Sequence, residues 1–292
     1  MRYIKREKMR PVLIIVLILV AAYLFMVCPN VNRKRKQRLR PFTETYVAHR
    51  GYFDNASDVP ENSLAAFSKA VENGFAVELD VQLTSDKKLV VFHDSDLKRI
   101  CGDDRILREC TYEELQKLTL ANSQEKIPLF SEVLPVIAGK VPMVIEIKGE
   151  FEPDVIAAHL AKEMEGYQGI YCIESFRPKA LMWYRKNHPG VLRGQLSTDV
   201  FRDKEGKRLN PIIKFVGTNM MCNFLAKPDF IAYNHKHVTQ PAFLLCCWMF
   251  PVMRFAWTIK DQKELHRARK FFHVFIFDSF DPHIGKRKQM PK

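Results

Sequence analysis

The sequence lacks the glycine-rich phosphate loop that follows the first strand of a dinucleotide-binding fold. It contains only 12 glycines in 292 residues. The first apolar run, residues 46–50, is followed by a single glycine, Gly51, and not by a glycine-rich segment. The seven cysteines are odd in number and irregularly spaced, which indicates reduced thiols rather than a disulfide framework. These absences argue against an open doubly wound sheet that binds a dinucleotide and against a disulfide-stabilised fold.

Excess positive charge is absent from most of the chain, although the formal net charge is +13. The first 40 residues contain 11 of the 46 Lys and Arg residues and one of the 33 acidic residues. The other 252 residues contain 35 basic and 32 acidic side chains, so the body of the protein is nearly neutral. A nucleic-acid-binding domain usually carries a basic stripe or patch. Its absence here predicts that nucleic acid is not a partner.

Charge is also absent from residues 11–32, which follow a basic tail at residues 1–10 and precede a basic linker at residues 33–41. A charge-free run of 22 residues is long enough to cross a hydrocarbon core of roughly 30 Å. The run has no A-x-A-like cleavage site and no small residue directly before Cys28, so a cleaved signal peptide fits poorly. We therefore expect residues 11–32 to form one N-terminal transmembrane helix that holds the protein in membrane lipid.

The flanking charges do not decide which side of the membrane holds the C-terminal domain, because five basic residues precede the anchor and six follow it. A long domain can be translocated regardless of these charges, which favours the outer side. The reduced thiols favour the cytoplasmic side, which is our expectation. A second apolar run, at residues 241–253, is too short for another span and is interrupted by Pro251.

Apolar runs of strand length alternate with amphipathic helical segments from Tyr46 onward, which is typical of a parallel sheet covered by helices. The predicted strands are residues 46–50, 76–84, 89–94, 142–148, 169–175, 191–197, 229–234, 253–259 and 273–278. Only SDKK separates the second and third strands, too little for a parallel crossover, so these two must form an antiparallel hairpin. The other eight predict an α/β protein with a TIM (β/α)8 barrel.

The barrel domain is predicted to cover residues 42–285. It carries a small insertion after strand 2, at about residues 95–140, because that stretch has helical patterns but no further barrel strand. A basic tail is predicted at residues 286–292. The oligomeric state is left open by the sequence.

Carboxylates occupy alternate positions of the second predicted strand, where Glu78 and Asp80 share one face. Their apolar neighbours face the opposite way, so both carboxylates point into the barrel, where they repel each other and are costly to desolvate. The strand at residues 142–148 repeats the pattern with Glu146 and Lys148. Two interpretations stay open at this point: a buried salt-bridge network, or an oxygen-rich site for Ca²⁺ or Mg²⁺.

Histidines stand at two strand ends, since His49 ends the first strand and His93 ends the hairpin arm. Catalytic residues of barrel enzymes lie at these C-terminal strand ends. Imidazoles titrate near neutral pH and can act as general acid and base, and Arg50 offers a bidentate fork to a phosphate. Together with the carboxylates, these residues predict phosphodiester cleavage assisted by a divalent cation.

The motifs around these residues resemble the opening of the glycerophosphodiester phosphodiesterase family. The matching segments are HRG at residues 49–51, PENS at 60–63, ELDVQ at 78–82, VVFHD at 90–94 and IEIK at 145–148. Weaker similarity continues through ESF, YN and AWT later in the chain. The resemblance implies a TIM barrel with an insertion after strand 2, and hydrolysis that yields sn-glycerol 3-phosphate and an alcohol.

The resemblance also implies a role for each candidate residue, and all of them belong to its motifs. The implied roles are an acid–base pair of His49 and His93; a site for one divalent cation, Ca²⁺ or Mg²⁺, formed by Glu78, Asp80 and Glu146; phosphate contacts from Arg50 and Lys148; and a pocket wall at Trp257.

Two features depart from the common family pattern. The loop at residues 51–60 is a few residues longer, and the last strand continues as Phe-Asp-Ser-Phe where many members have a Thr-Asp-like pair. Both lie at the pocket rim, so a lysophospholipid or a polyglycerol phosphate stays open as an alternative substrate. A catalytically inactive, membrane-tethered binding module is the alternative from another class. The role of Glu174, in the segment CIES, is left open: it either contacts the substrate or belongs to a network that points into the barrel.

Overall fold

A closed sheet forms the centre of the protein in the computed structural model, which describes residues 2–149, 152–203 and 209–283. The strands of these residues are β1 (Val47–Ala48), β2 (Ala76–Leu83), β3 (Leu89–Val91), β4 (Met143–Ile147), β5 (Tyr171–Ser175), β6 (Leu192–Ser197), β7 (Phe230–Asn234), β8 (Met253–Ile259) and β9 (Val274–Phe277).

The strand pairing closes the sheet into a barrel. The order is β1-β9-β8-β7-β6-β5-β4-β2-β3, and β1 also pairs with β2. All neighbours are parallel except β3, which pairs antiparallel with β2 through the short SDKK connection. The predicted TIM barrel, with eight parallel strands and one hairpin arm, is therefore confirmed.

Helices cover the outside of the barrel. Those of the described residues are α1 (Arg2–Val27), α2 (Arg33–Arg38), α3 (Leu64–Glu72), α4 (Lys98–Cys101), α5 (Tyr112–Leu115), α6 (Phe130–Ile137), α7 (Pro153–Glu163), α8 (Pro178–Asn187), α9 (Pro211–Thr218), α10 (Asn223–Ala226), α11 (Pro241–Met249) and α12 (Gln262–Ala268). Helix α3 shows how they are built. Ser63 caps its first turn by accepting a hydrogen bond from the Ala66 amide, and Phe67 and Ala70 face the sheet.

A small lobe follows β3 and contains α4 and α5. Leu97 and Leu115 belong to its own apolar core, which is separate from the core of the barrel. Helix α6 behaves differently, because Phe130 and Val133 are buried in the main core and the helix packs against α3. The insertion predicted at about residues 95–140 therefore ends before α6, which is an outer helix of the barrel itself.

Side chains inside the barrel change from apolar to charged along the strands. One interior apolar layer contains Val47, Ala76, Val144, Cys172 and Ile276. Alternate residues of a strand face the same side, so the residues two positions later also point inwards, one layer closer to the C-terminal strand ends. These residues are His49, Glu78, Glu146, Glu174 and Asp278.

The N-terminal ends of the strands are closed by the segment between α2 and β1. Leu39 and Phe42 are fully buried and belong to the interior apolar cluster. Arg35 holds this segment in place, because its Nε and Nη2 atoms donate to the Asp229 carboxylate at 2.6 and 2.7 Å. The predicted basic linker is thus folded against the barrel as a floor.

Helix α1 is exposed along its middle and buried at its end. The side chains from Val12 to Val20 are 48–64% exposed, whereas Val27 is fully buried. The Val27 carbonyl accepts a hydrogen bond from Asn223 Nδ2 at 2.9 Å. The helix stops at Val27, five residues before the predicted end of the anchor, because the residue preceding Pro29 is disfavoured in a helix.

Among the described residues, no helix was found that is both long enough and apolar enough to cross a membrane. The predicted basic tail at residues 1–10 contributes the first turns of α1, of which the backbone alone is described from residue 2 onward. The predicted C-terminal tail at residues 286–292 lies outside the described residues.

We expect Gly194→Ala to destabilise the barrel. A Cβ atom at Gly194 would lie 2.1 Å from the ring of Phe230, which is itself stacked on Phe255 with a centroid distance of 4.1 Å. Overpacking of this kind costs about 1–3 kcal/mol, so thermal unfolding should begin several degrees lower. Gly190→Ala is the matched control, since a Cβ there meets no atom within 4 Å. Equal melting temperatures for the two variants would contradict the packing described here.

Candidate active site

A cavity of about 460 Å³ opens at the C-terminal ends of the strands. Seven of the eight residues predicted from the sequence line it: His49, Arg50, Glu78, His93, Glu146, Lys148 and Trp257. The eighth, Asp80, is fully buried and forms ion pairs with Arg50 and Lys148. The fold thus brings all the predicted residues together, while their individual roles stay predictions.

The HRG motif forms the turn that leaves β1. Arg50 has φ of +56° and Gly51 has φ of +83°, both in the left-handed region. At Gly51 a Cβ atom would also lie 2.8 Å from the backbone of Ala66, so only glycine fits. The turn points the Arg50 amide at the site, where it donates a hydrogen bond to Glu78 Oε2 at 2.8 Å. Backbone strain of this kind concentrates at functional sites.

Asp80 is held by positive and neutral donors. Lys148 Nζ lies 3.1 Å from its Oδ1 atom, Arg50 Nε lies 3.6 Å from Oδ2, and Asn62 Nδ2 donates to Oδ2 at 2.9 Å. Burial alone would raise the pKa of Asp80, but the charges of Lys148 and Arg50 and the hydrogen bond from Asn62 lower it well below its usual range. Asp80 is therefore ionised.

A second group of carboxylates has fewer donors. Glu78, Glu146 and Glu174 each offer an oxygen, and these oxygens all lie within 4.8 Å of one another. Burial raises the pKa of Glu146 to about 7, against the opposing charge of Lys148. Burial and mutual repulsion raise the pKa values of Glu78 and Glu174 well above the ordinary range. A hard cation shared by these oxygens would remove the repulsion, so the donor set fits Ca²⁺ or Mg²⁺.

His49 is oriented by a residue from the far end of the chain. Its Nδ1 atom lies 3.2 Å from Asp278 Oδ2. Burial lowers the pKa of His49 to about 4, helped by the charge of Arg50, so the ring is neutral at pH 7. Burial would raise the pKa of Asp278, but the hydrogen bonds from His49 and Ser279 and the charge of Lys260 lower it, so its carboxylate can only accept. The Nδ1 atom of His49 then carries the proton, and Nε2 is left as a free base.

His93 is oriented in the same manner by its neighbour in sequence. Its Nδ1 atom lies 2.5 Å from Asp94 Oδ1, and Asp94 in turn accepts from Arg99 Nε at 2.6 Å. Arg99 also donates both terminal nitrogens to Glu61, which accepts from Arg50 Nη1 as well. Burial, followed by the charge of Lys148, lowers the pKa of His93, whereas Asp80 and the hydrogen bond to Asp94 act in the opposite direction.

Aromatic side chains form part of the cavity wall. Phe176 and Trp257 meet edge to face, with ring centroids 5.6 Å apart, and Phe53 also lines the cavity. The indole Nε1 of Trp257 is buried without a hydrogen-bond partner. The site therefore combines a charged inner end with an apolar wall.

Several residues of the site were missed or left open in the sequence analysis. Asp278 and Glu174 follow interior apolar residues by two positions, as Glu78 does, so the same alternation could have placed both. Asp94 could have been found as the direct neighbour of His93. The long contact from Arg99 to Glu61 leaves no signal in the sequence, because it depends on how the inserted lobe folds back.

Comparison with known proteins identifies the family. The family model described as the glycerophosphoryl diester phosphodiesterase family matches residues 49–272. The chain belongs to this family. It is accordingly an enzyme of the phosphoric diester hydrolase class, which confirms the resemblance seen in the sequence motifs.

Relatives and solved structures of this family cover most of the barrel. A glycerophosphodiester phosphodiesterase of Bacillus altitudinis is 30% identical over 58% of this chain and 76% of its own. Human lysophospholipase D is 32% identical over 44% of each chain. A phosphodiesterase structure from Oleispira antarctica, solved with the product sn-glycerol-3-phosphate, aligns with a TM-score of 0.66 at 21% identity, covering 84% of this chain and 97% of that one.

We expect Asp278→Asn to lower kcat for glycerophosphodiester hydrolysis by at least about tenfold, because His49 loses the carboxylate that fixes its tautomer. The charge of Asp278 raises the pKa of His49. Its removal should therefore move the acidic limb of the kcat–pH profile to lower pH. Asp281→Asn, the same change outside the cavity, is the control. Unchanged kcat and an unchanged profile in Asp278→Asn would show that His49 does not depend on this carboxylate.

Proposed function

We propose that the protein hydrolyses glycerophosphodiesters to sn-glycerol 3-phosphate and an alcohol with the help of one divalent cation, Ca²⁺ or Mg²⁺. One observation carries the proposal: two imidazoles, each oriented at Nδ1 by a carboxylate, line the same cavity as a cluster of buried carboxylates. The product bound in the Oleispira antarctica structure supports the choice of substrate.

The charged inner end of the cavity suits a phosphodiester. Glu78, Asp80 and Glu146 would hold the cation, which supplies Lewis-acid stabilisation of the charge on the phosphoryl oxygens when bound. Lys148 stays cationic, because the charges of Asp80 and Glu146 outweigh burial and raise its pKa. Lys148 and Arg50 both line the cavity and can donate to phosphate oxygens.

The two imidazoles divide the proton transfers. His49 and His93 both have Nδ1 bound to a carboxylate, so Nε2 is the atom available to the substrate. One ring, unprotonated at Nε2, removes the proton from the attacking oxygen; the other ring acts in its doubly protonated form, stabilised by its carboxylate, and delivers its Nε2 proton to the leaving oxygen. The attacking oxygen belongs either to water or to a glycerol hydroxyl, and the second route passes through a cyclic phosphate that product analysis would detect.

The full-length protein in detergent should release glycerol 3-phosphate from glycerophosphocholine or glycerophosphoethanolamine with Ca²⁺ or Mg²⁺, and the release should stop in EDTA. His49→Ala and His93→Ala should each lower turnover by roughly 10²-fold or more, because general acid–base catalysis contributes that much. Both variants should keep the melting temperature of the wild type within a few degrees. Near-normal turnover in both would refute the acid–base assignment, and full activity in EDTA would refute the metal requirement.

A lysophospholipid is the second candidate substrate. The aromatic wall formed by Phe53, Phe176 and Trp257 could contact an acyl chain or a head group, and human lysophospholipase D is among the relatives. Lysophosphatidylcholine belongs in the same assay, where faster release of lysophosphatidic acid than of glycerol 3-phosphate would make it the preferred substrate. The intact set of charged residues argues against an inactive binding module.

We also propose that the anchor predicted at residues 11–32, whose helix ends at Val27 in the structure, holds the enzyme in a membrane, with the catalytic domain on the cytoplasmic side. The support is the charge-free sequence between two basic segments, together with the exposed apolar side chains from Val12 to Val20. All seven cysteines are free thiols, which suits a reducing compartment.

Replacement of Ile15 and Leu19 by Lys should release the protein from membranes. Each Lys near the centre of a span costs about 2.5–3.5 kcal/mol, so the variant should move from the membrane pellet to the supernatant after carbonate extraction. Ile170→Lys, which changes an exposed apolar residue of the barrel instead, should stay with the pellet. A wild-type protein found in the supernatant would refute the anchor. Labelling of intact cells with a membrane-impermeant maleimide would refute the cytoplasmic placement if the cysteines of the barrel reacted.

A further inference from the structure

Glu174 is a carboxylate for which the mechanism proposed above has no role. It lies on β5, in register with Glu146 on β4, which is itself in register with Asp80 on β2. All three side chains point into the barrel at its C-terminal end. The position places Glu174 beside the residues expected to hold the cation.

The environment of Glu174 does not explain why a carboxylate stands there. Only 2% of the residue is exposed, and its buried Oε2 atom has no hydrogen-bond partner. The nearby cation, Lys148, is already engaged by Asp80 Oδ1 at 3.1 Å and Glu146 Oε1 at 2.9 Å. With no donor to Oε2, the ionised form of Glu174 is strongly unfavourable in this buried place, and a cation beside it would stabilise that form.

The distances between carboxylate oxygens indicate where such a cation would lie. Oxygens of Glu174, Glu78 and Glu146 come within 4.8 Å of one another, which allows one ion to contact all three. Asp80, by contrast, has the Lys148 ammonium 3.1 Å from Oδ1, without a hydrogen bond to that atom, and accepts a hydrogen bond from Asn62 at Oδ2.

The charges lead to the same conclusion. Four carboxylates project from β2, β4 and β5 into this end of the barrel: Glu78, Asp80, Glu146 and Glu174. Two cationic side chains, Arg50 and Lys148, contact this group. Arg50 is shared with Glu61, so ionisation of all four carboxylates leaves an excess of negative charge that a divalent cation would offset.

We propose that Glu174 is a direct ligand of the divalent cation and completes its oxygen cage together with Glu78 and Glu146. The inference rests on the metal-dependent function proposed above. It assigns Glu174 to the metal rather than to the substrate. It adds a ligand to the set expected from the sequence, and it leaves the role of Asp80 to be tested separately.

The test is calorimetric titration of the metal-free, full-length protein in detergent with CaCl₂ and with MgCl₂. Glu174→Gln keeps the size of the side chain but removes the charge, and we expect it to weaken the wild-type affinity at least about tenfold, the range seen when groups that support a metal site are lost. Glu163→Gln on α7 is the matched control, because Glu163 also has a buried Oε2 without a partner but does not line the cavity. Its affinity should equal that of the wild type.

Thermal unfolding separates a ligand from a structural residue. In EDTA, Glu174→Gln should melt at or above the wild-type temperature, because one repulsive carboxylate has been removed. Addition of Ca²⁺ or Mg²⁺ should then raise its melting temperature less than it raises that of the wild type. A variant that unfolded in EDTA would contradict this expectation and show that Glu174 stabilises the fold without metal.

The outcomes distinguish this inference from the function on which it rests. If the wild type bound neither cation, the metal-dependent function itself would fail. If the wild type bound a cation and Glu174→Gln bound it within twofold of the same affinity, the function would stand and the role of Glu174 would be overturned.

Discussion

The repulsion among buried carboxylates at the C-terminal end of the barrel is the constraint on which the site depends. Glu78, Glu146 and Glu174 approach one another closely, and burial makes their ionisation costly. Arg50 and Lys148 offset part of this cost, mainly at Asp80. The remaining excess of negative charge is what the proposed cation would neutralise, so the cost of burying these carboxylates and the proposed metal binding have one origin.

The sequence predicts the barrel and most of the site for a simple reason. A strand places alternate residues on one face, so Glu78 and Asp80 could be assigned to the interior as soon as β2 was recognised. The length of SDKK was equally informative, because four residues cannot cross a sheet, and this fixed β3 as a hairpin arm. Local patterns of this kind survive in the folded protein because the barrel repeats the same strand geometry around its axis.

The parts that the sequence did not predict depend on closure of the barrel. Asp278 reaches His49 only because β9 pairs with β1, which brings together residues 229 positions apart. Glu61 and Arg99 meet because the inserted lobe folds back to the cavity at the C-terminal ends of the strands. Such contacts carry no periodic signal, and their partners can be named only when the neighbouring strands and loops are known. The end of α1 was misplaced for a different reason, since charge patterning does not register the effect of Pro29.

The folded floor has a mechanical consequence. Leu39 and Phe42 fill the lower end of the barrel, and Arg35 is clamped to Asp229, so little free chain separates the end of α1 from the catalytic domain. A flexible tether would let the domain swing and sample many directions. For an α1 inserted in a membrane, as proposed above, a joint of this kind would transmit the tilt of the helix to the barrel, and transmembrane helices tilt by about 20° on average. Under that proposal, the direction in which the cavity faces would depend on the lipid around α1.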